Sequence, residues 1–253
     1  SKFGSAKVSL PGGCAIGSRP VNIHLEALSK LGVKYKIIQG YVYATAPKGL
    51  IGSKIHFPKI SVGATENLII AASLAKGTTI LSNCAVEPEI KDLVNFLKKL
   101  GVQIKIKKRK KTIKKKIKEK KISHKVICDR IELGTFIIAA AITDSDIKIT
   151  GGNTALLENF IGKLNEVGIE IHQSKDHLRV KRTSSASIKC TNILTEPFPG
   201  FPTDLQAQMM ALLSIADGVS KIEEQIFENR FMHVPELARM GANIEISGRE
   251  AVI

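Results

Sequence analysis

Four glycines, each closing a helix-like stretch, limit what this chain can fold into more than any other feature. Gly32, Gly101, Gly168 and Gly241 each follow an amphipathic pattern and precede a strand-like one, and they lie 69, 67 and 73 residues apart. The stretches read IHLEALSKLGVKYKI, IKDLVNFLKKLGVQIKI, LENFIGKLNEVGIEI and VPELARMGANIEI. In each, glycine stands where a left-handed helix cap calls for a residue without a Cβ. Self-similarity at a fixed period marks a repeated supersecondary unit. Upstream, Ala-rich apolar helices are expected to begin near Thr65, Thr135 and Asp204, each leading to a short strand, TTIL, IKIT or SKIEE. KVSL at residues 7–10 is the first copy of that strand and has no helix before it, while REAVI ends inside a strand pattern. The expectation is an internal fragment of a longer array, incomplete at both ends. Its unit is helix, strand, loop, helix, glycine, then strand or hairpin, an α/β pattern.

At 253 residues and 43% hydrophobic composition the chain is long enough for two domains. With 9 Phe, 3 Tyr and no Trp, its core must be aliphatic, drawn from runs such as NLIIAASLA and TFIIAAAI. None approaches the roughly 20 apolar residues needed to cross a bilayer, and no charged leader precedes an apolar run at the N-terminus; a cytoplasmic protein is expected. Cys14, Cys84, Cys128 and Cys190 fit neither zinc spacing nor a dense disulfide framework, so free thiols are expected. Cys84, Cys128 and Cys190 sit in apolar contexts where burial accounts for them. Of the net +15, residues 105–121 (KIKKRKKTIKKKIKEKK) carry twelve Lys or Arg and one Glu. This tract reads as a solvated face, with isoleucines at 104, 106, 113, 117 and 122 anchoring its apolar side. It lacks the interleaved aromatics that stack RNA bases.

Equivalent loops should lie at equivalent places in the repeats: PGGCAIGSRPVN, SNCAVEPEI, GGNTALLEN and QIFENRFMHVPE, with Pro20, Pro88 and Pro235 suited to the first turn of the next helix. In the first loop, Gly12, Gly13 and Gly17 let a ligand approach the main chain, and Arg19 stands at a helix start that favours an anion. Cys14 there is either a small filler or an accessible working thiol, and the company of mobile glycines and an anion site favours the second. FPKISVGATENL brings Lys59, Ser61 and Thr65 together before a helix. Thr65 is expected to cap it, which leaves Lys59 unaccounted for. Asp204, in EPFPGFPTDLQAQ, is an N-terminal helix carboxylate or a catalytic one. FENRFMHVPEL adds Glu228, Arg230 and His233, the histidine being more readily a satisfied structural group than a ligand.

In order and in separation, SLPGGCAIGSRPVNIHLEALSKLG, KISVGAT, EPEIKDLVNFLKKLG, DRIELGTF, FPTDLQAQ and FENRFMHVPELARMGA resemble motifs of the enolpyruvyl transferases, specifically of those acting on UDP-N-acetylglucosamine. The resemblance covers nearly the whole chain except about residues 105–126. It implies a fold of two inside-out α/β barrel domains, each of three repeats around buried helices, with the active site in the cleft between them. Residues 1–128 would be part of the domain carrying the Cys14 loop, and 129–253 part of the domain carrying Asp204. The implied reaction moves the enolpyruvyl group of phosphoenolpyruvate to the sugar 3-hydroxyl, releasing phosphate at the first committed step of peptidoglycan synthesis. No metal or organic cofactor, nucleic acid or membrane insertion is implied. Cys14 would be the proton donor, on a loop that closes over the substrates, and the target of fosfomycin. Asp204 would be the general base. Nucleotide-sugar contacts would come from Arg19, Pro20, Val21, Asn22, Ile23, Lys59, Ile60, Ser61, Val62, Asp204 and Ile226, with Glu87, Arg130 and Arg230 in support. Asn22 stands where an acidic residue is common. The family's phosphoenolpyruvate-binding Lys-Asn pair and C-terminal arginines would lie outside these residues, so the chain alone is not expected to turn over. The sister enzymes that use shikimate 3-phosphate share the fold but not the Cys-bearing loop. The rival of a different class is a nucleic-acid-binding protein that uses the basic tract.

Overall fold

The repeat shows first in the hairpins. A computed structural model of the chain describes residues 3–11, 21–116, 121–182 and 187–253. These form β1 (Ser5–Ser9), α1 (Asn22–Ser29), β2 (Lys34–Ile38), β3 (Tyr41–Thr45), β4 (Lys54–His56), α2 (Val62–Leu74), β5 (Thr78–Ser82), α3 (Pro88–Lys99), β6 (Gln103–Lys107) and β7 (Lys110–Lys114). They continue with α4 (Arg130–Ile142), β8 (Ile147–Thr150), α5 (Glu158–Glu166), β9 (Ile169–Gln173), β10 (His177–Arg182), β11 (Ile193–Leu194), α6 (Gln206–Leu213), β12 (Lys221–Glu223), α7 (Val234–Arg239), β13 (Glu245–Ser247) and β14 (Glu250–Val252). Each repeat closes with an antiparallel pair: β2 with β3, β6 with β7, β9 with β10, β13 with β14. The sheets run β1-β3-β2, β4-β5-β7-β6, β8-β10-β9 and β11-β12-β14-β13. In the two four-stranded sheets the first strand pairs parallel to the second, β4 to β5 and β11 to β12, across a helical crossover. The described residues divide into two compact units, one up to Ile127 and one from Cys128.

The helix-closing glycines behave as their spacing predicts. Gly32, Gly101, Gly168 and Gly241 have φ of 95°, 95°, 90° and 102°. Around three of them the paired bonds of a Schellman cap form. Gly32 N–H donates to Ser29 O and Val33 N–H to Leu28 O; Gly101 N–H donates to Lys98 O and Val102 N–H to Leu97 O; Gly241 N–H donates to Ala238 O and Ala242 N–H to Leu237 O. Pro88 and Pro235 occupy first-turn positions of α3 and α7.

The helix starts need correction. Thr65 does not cap α2: Ser61 does, its Oγ accepting from Ala64 N–H at 3.3 Å. Thr65 is one turn in, donating to Ser61 O at 2.7 Å and accepting from Ala85 N–H at 3.0 Å. Likewise α4 begins at Arg130, capped by Asp129 Oδ1 on the amides of Ile131 and Glu132, not near Thr135. Apolar periodicity registers only once the helix is inside the core, whereas the capping side chains stand outside it. α2, α4 and α6 are predominantly apolar and supply much of the core of their units, through residues such as Leu68, Ile69, Ile137, Ile138, Met209 and Met210. The amphipathic α3 and α5 cover them.

The first part of the basic tract, residues 105–114, lies in the β6–β7 hairpin, and it is not solvated throughout. A strand alternates its faces every two residues, so Lys111 shares a face with the buried Ile113 and lies opposite Leu81 in the ladder. Lys111 is 1% exposed, whereas Ile106, near the turn on the outer strand β6, is 45% exposed. Ile104 is buried as expected, and Ile117 lies outside the described residues. Of the three cysteines expected to be buried, Cys84 is; Cys128 is half-buried and Cys190 exposed. Cys190 sits on a surface segment between β10 and β11, its N–H bonded to Asp217 O at 3.2 Å. No helix among the described residues is long and apolar enough to cross a membrane.

Candidate functional site

In the first unit, α1 and α2 begin side by side. The His24 ring receives Asn67 Nδ2 at Nδ1 over 2.7 Å. A Cβ placed on Gly63 would stand 3.3 Å from His24 Cε1, so a larger residue there would press on the ring. The structure thus brings Val21, Asn22 and Ile23, at the start of α1, next to Lys59, Ile60, Ser61 and Val62, at the start of α2. Ile23 and Ile60 pack against the core, while Asn22, Lys59 and Val62 face solvent. Two adjacent helix starts and an exposed lysine suit an anionic ligand. Burial holds the His24 imidazole below its ordinary value of 6.5.

The loop after β5 is the second-repeat counterpart of the Cys14 loop. Cys84 N–H donates to Arg109 O at 2.9 Å, Arg109 Nη1 donates to Cys84 O at 3.1 Å, and Lys111 Nζ donates to Ala85 O at 2.7 Å. Burial pushes the Lys111 ammonium below the usual lysine value, opposed by Cys84 and Glu87. Burial pushes the Cys84 thiol up, opposed by Lys111 and Arg109. Glu87, immediately before α3, is 6% exposed, and its Oε2 has no hydrogen-bond partner among the described residues. Glu66 is raised by burial and then by Glu89 and Glu87, so three carboxylates share this region.

In the second unit, Asp204 lies in a 3-10 turn, Thr203–Leu205, that leads into α6. It makes no capping bond. Instead Arg230 Nη2 donates to Asp204 Oδ1 at 2.6 Å; the Arg230 side chain is 17% exposed and that of Asp204 54%. The Arg230 guanidinium also lies 5.1 Å from the Phe227 ring centroid. Sequence reasoning missed what holds these pieces together. Glu224 is 1% exposed; its Oε2 accepts from Thr203 Oγ1 at 2.8 Å, and its Oε1 accepts from the amides of Ile226 at 2.9 Å and Phe227 at 3.1 Å. Asp204, Ile226 and Arg230 are therefore one constellation, with a carboxylate open to solvent and fixed at one oxygen by an arginine. Such a group can take a proton from a hydroxyl brought within hydrogen-bond reach. His233 is held below its ordinary value by burial and by Arg230, and its Nε2 lies 3.1 Å from Met210 Sδ.

Arg130 lines a cavity of about 230 Å³ whose lining also includes Asn159, Phe160 and Pro202, the last two residues before Asp204 in the chain. Arg130 is 9% exposed and 5.8 Å from the Phe198 ring. Cys14, Arg19 and Pro20 lie outside the described residues.

The sequence profile of the EPSP synthase (3-phosphoshikimate 1-carboxyvinyltransferase) family matches residues 1–252. Over its full length the chain is 61% identical to a protein of Pelagibacter ubique (strain HTCC1062) and 51% identical to one of Dinoroseobacter shibae, both named UDP-N-acetylglucosamine 1-carboxyvinyltransferase. It spans 60% of the length of each. Among solved structures, the enolpyruvyl transferase NikO from Streptomyces tendae superposes with a TM-score of 0.87 at 20% identity, over 99% of this chain and 60% of that one. EPSP synthase from Acinetobacter baumannii gives 0.66 at 17%, over 98% and 59%. At those identities the two structures speak to fold, and the fold is that of the enolpyruvyl transferases. By the profile that runs along nearly all of its residues, the chain belongs to the EPSP synthase (3-phosphoshikimate 1-carboxyvinyltransferase) family.

Proposed function

We propose that this chain is part of an enzyme that transfers the enolpyruvyl group of phosphoenolpyruvate to the 3-hydroxyl of UDP-N-acetylglucosamine, with release of phosphate, the first committed step of peptidoglycan synthesis. The identity of 61% to a relative named for that sugar nucleotide carries the choice of acceptor. The Asp204–Arg230 pair at 2.6 Å supports the choice of base. In this reading the unit ending at Ile127 belongs to the domain with the Cys14 loop, and the unit from Cys128 belongs to the domain with the base.

Addition needs a base for the sugar hydroxyl and an acid for the methylene carbon of phosphoenolpyruvate. Asp204 takes the hydroxyl proton as oxygen attacks C2, and the Cys14 thiol gives its proton to C3, leaving a tetrahedral ketal. Loss of a C3 proton and of phosphate then restores the double bond. A thiol at its ordinary pKa of about 8.5 still holds its proton at neutral pH, as a proton donor must. Arg19 and Lys59 meet the substrates' anionic groups, Val21–Ile23 and Ile60–Val62 line the nucleotide, and Ile226 flanks the sugar.

In full-length protein, phosphate release is expected to require both substrates, to vanish in Cys14→Ala, and to be blocked by fosfomycin with one adduct on Cys14. Undiminished release from Cys14→Ala would remove the thiol from the mechanism.

A further inference from the structure

Among the described residues, every hydrogen bond made by the Glu224 carboxylate goes to a residue beside the candidate base or its partner. Thr203, bonded at Oε2 over 2.8 Å, precedes Asp204 in the chain. Ile226 and Phe227, whose amides meet Oε1 at 2.9 Å and 3.1 Å, include a candidate sugar contact and the ring beneath Arg230. Arg230 closes the circuit on Asp204 Oδ1 at 2.6 Å. Glu224 is itself fixed: its N–H donates to Arg249 O at 2.8 Å, and Arg249 Nη1 donates to Gln225 O at 3.0 Å. Asp204 and Arg230 come from loops 26 residues apart. Neither loop is regular enough to set the other's position through backbone ladders. A buried carboxylate without partners would be costly, whereas one that accepts three hydrogen bonds from two loops fixes both.

We propose that Glu224 is a positioning residue for the Asp204–Arg230 pair, setting where the Asp204 carboxylate meets the acceptor hydroxyl. This rests on the reading of Asp204 as the base. The distance between base and hydroxyl governs proton transfer, and a misplacement of about 1 Å can cost on the order of a hundredfold. Glu224 touches no substrate in this assignment, so its loss should act on turnover more than on binding.

The test uses full-length protein assayed for phosphate release with both substrates. Thr203→Val keeps the side-chain shape and deletes one bond to Glu224, and Glu224→Ala deletes all three. Glu224→Gln keeps an acceptor for the two amides and offers its NH2 to the Thr203 hydroxyl. The inference expects kcat to fall about tenfold or more in Glu224→Ala and about three- to tenfold in Thr203→Val, with KM within about threefold and Glu224→Gln near wild type. It also expects faster hydrogen exchange at the Ile226 and Phe227 amides in Glu224→Ala alone. Should Glu224→Ala fail to fold, Thr203→Val carries the test. Wild-type kcat in Thr203→Val would overturn the inference, as would a Glu224→Gln as impaired as Glu224→Ala. A wild-type enzyme that releases no phosphate would instead overturn the reading beneath it, before any variant is compared.

Discussion

Lys111 donates to the Ala85 carbonyl from inside the core, while its neighbour Lys110 points into solvent. Lys111→Ala is therefore expected to cost about 2 kcal/mol by urea denaturation, by stranding that carbonyl and leaving a cavity, and Lys110→Ala less than about 0.5. Acid should weaken the fold through His24 and His233, both held below their ordinary 6.5. Between the lowered folded value and 6.5 the unfolded chain binds more protons, so stability falls as pH drops through that window. His233→Gln should flatten the dependence of the urea midpoint on pH, and an unchanged slope would locate the effect elsewhere. Asp204 was legible as a candidate because its motif is local. Glu224 was not, because nothing in a Glu-Glu pair after a strand reveals a hydroxyl 21 residues away. Lys111 was hidden by its eleven basic companions; only strand register separates it from them.

Two glycines in helices or at their ends should respond oppositely to the same substitution. Gly101, at φ 95°, closes α3, and Gly101→Ala should cost about 1–2 kcal/mol because a Cβ strains the left-handed conformation. Gly162, within α5, has open space around its Cβ position, so Gly162→Ala should add about 0.5–1 kcal/mol. Gly134 in α4 is a third case, where a Cβ would stand 2.4 Å from Leu205 Cδ1. Gly134→Ala should cost about 1–3 kcal/mol by overpacking and also lower kcat, since Leu205 adjoins Asp204. The glycine caps, hairpins and buried helices were readable because periodicity and φ requirements are written locally. The opening strands β4 and β11 were not. They have three and two residues, too few for a period, and become strands only by pairing in parallel with β5 and β12.

At the scale of the molecule, one topology occurs in both units: a parallel strand pair joined through a buried helix, then a covering helix and a hairpin. The charged loops that follow β5 and β12 occupy equivalent places in it, and each contains a buried carboxylate, Glu87 and Glu224. They differ in that Glu224 is saturated by its own unit while Glu87 Oε2 has no partner among the described residues. Repetition thus supplies a common frame, and the loops diverge on it toward separate tasks. The shared fold left the choice of acceptor to the loops and to the relatives' names, and product chemistry decides it. Full-length protein incubated with phosphoenolpyruvate and with both UDP-N-acetylglucosamine and shikimate 3-phosphate, then analysed by mass spectrometry, should yield a sugar nucleotide heavier by one enolpyruvyl unit, and Asp204→Asn should yield almost none. Recovery of unmodified sugar nucleotide from the wild type, with shikimate 3-phosphate consumed in its place, would contradict the assignment.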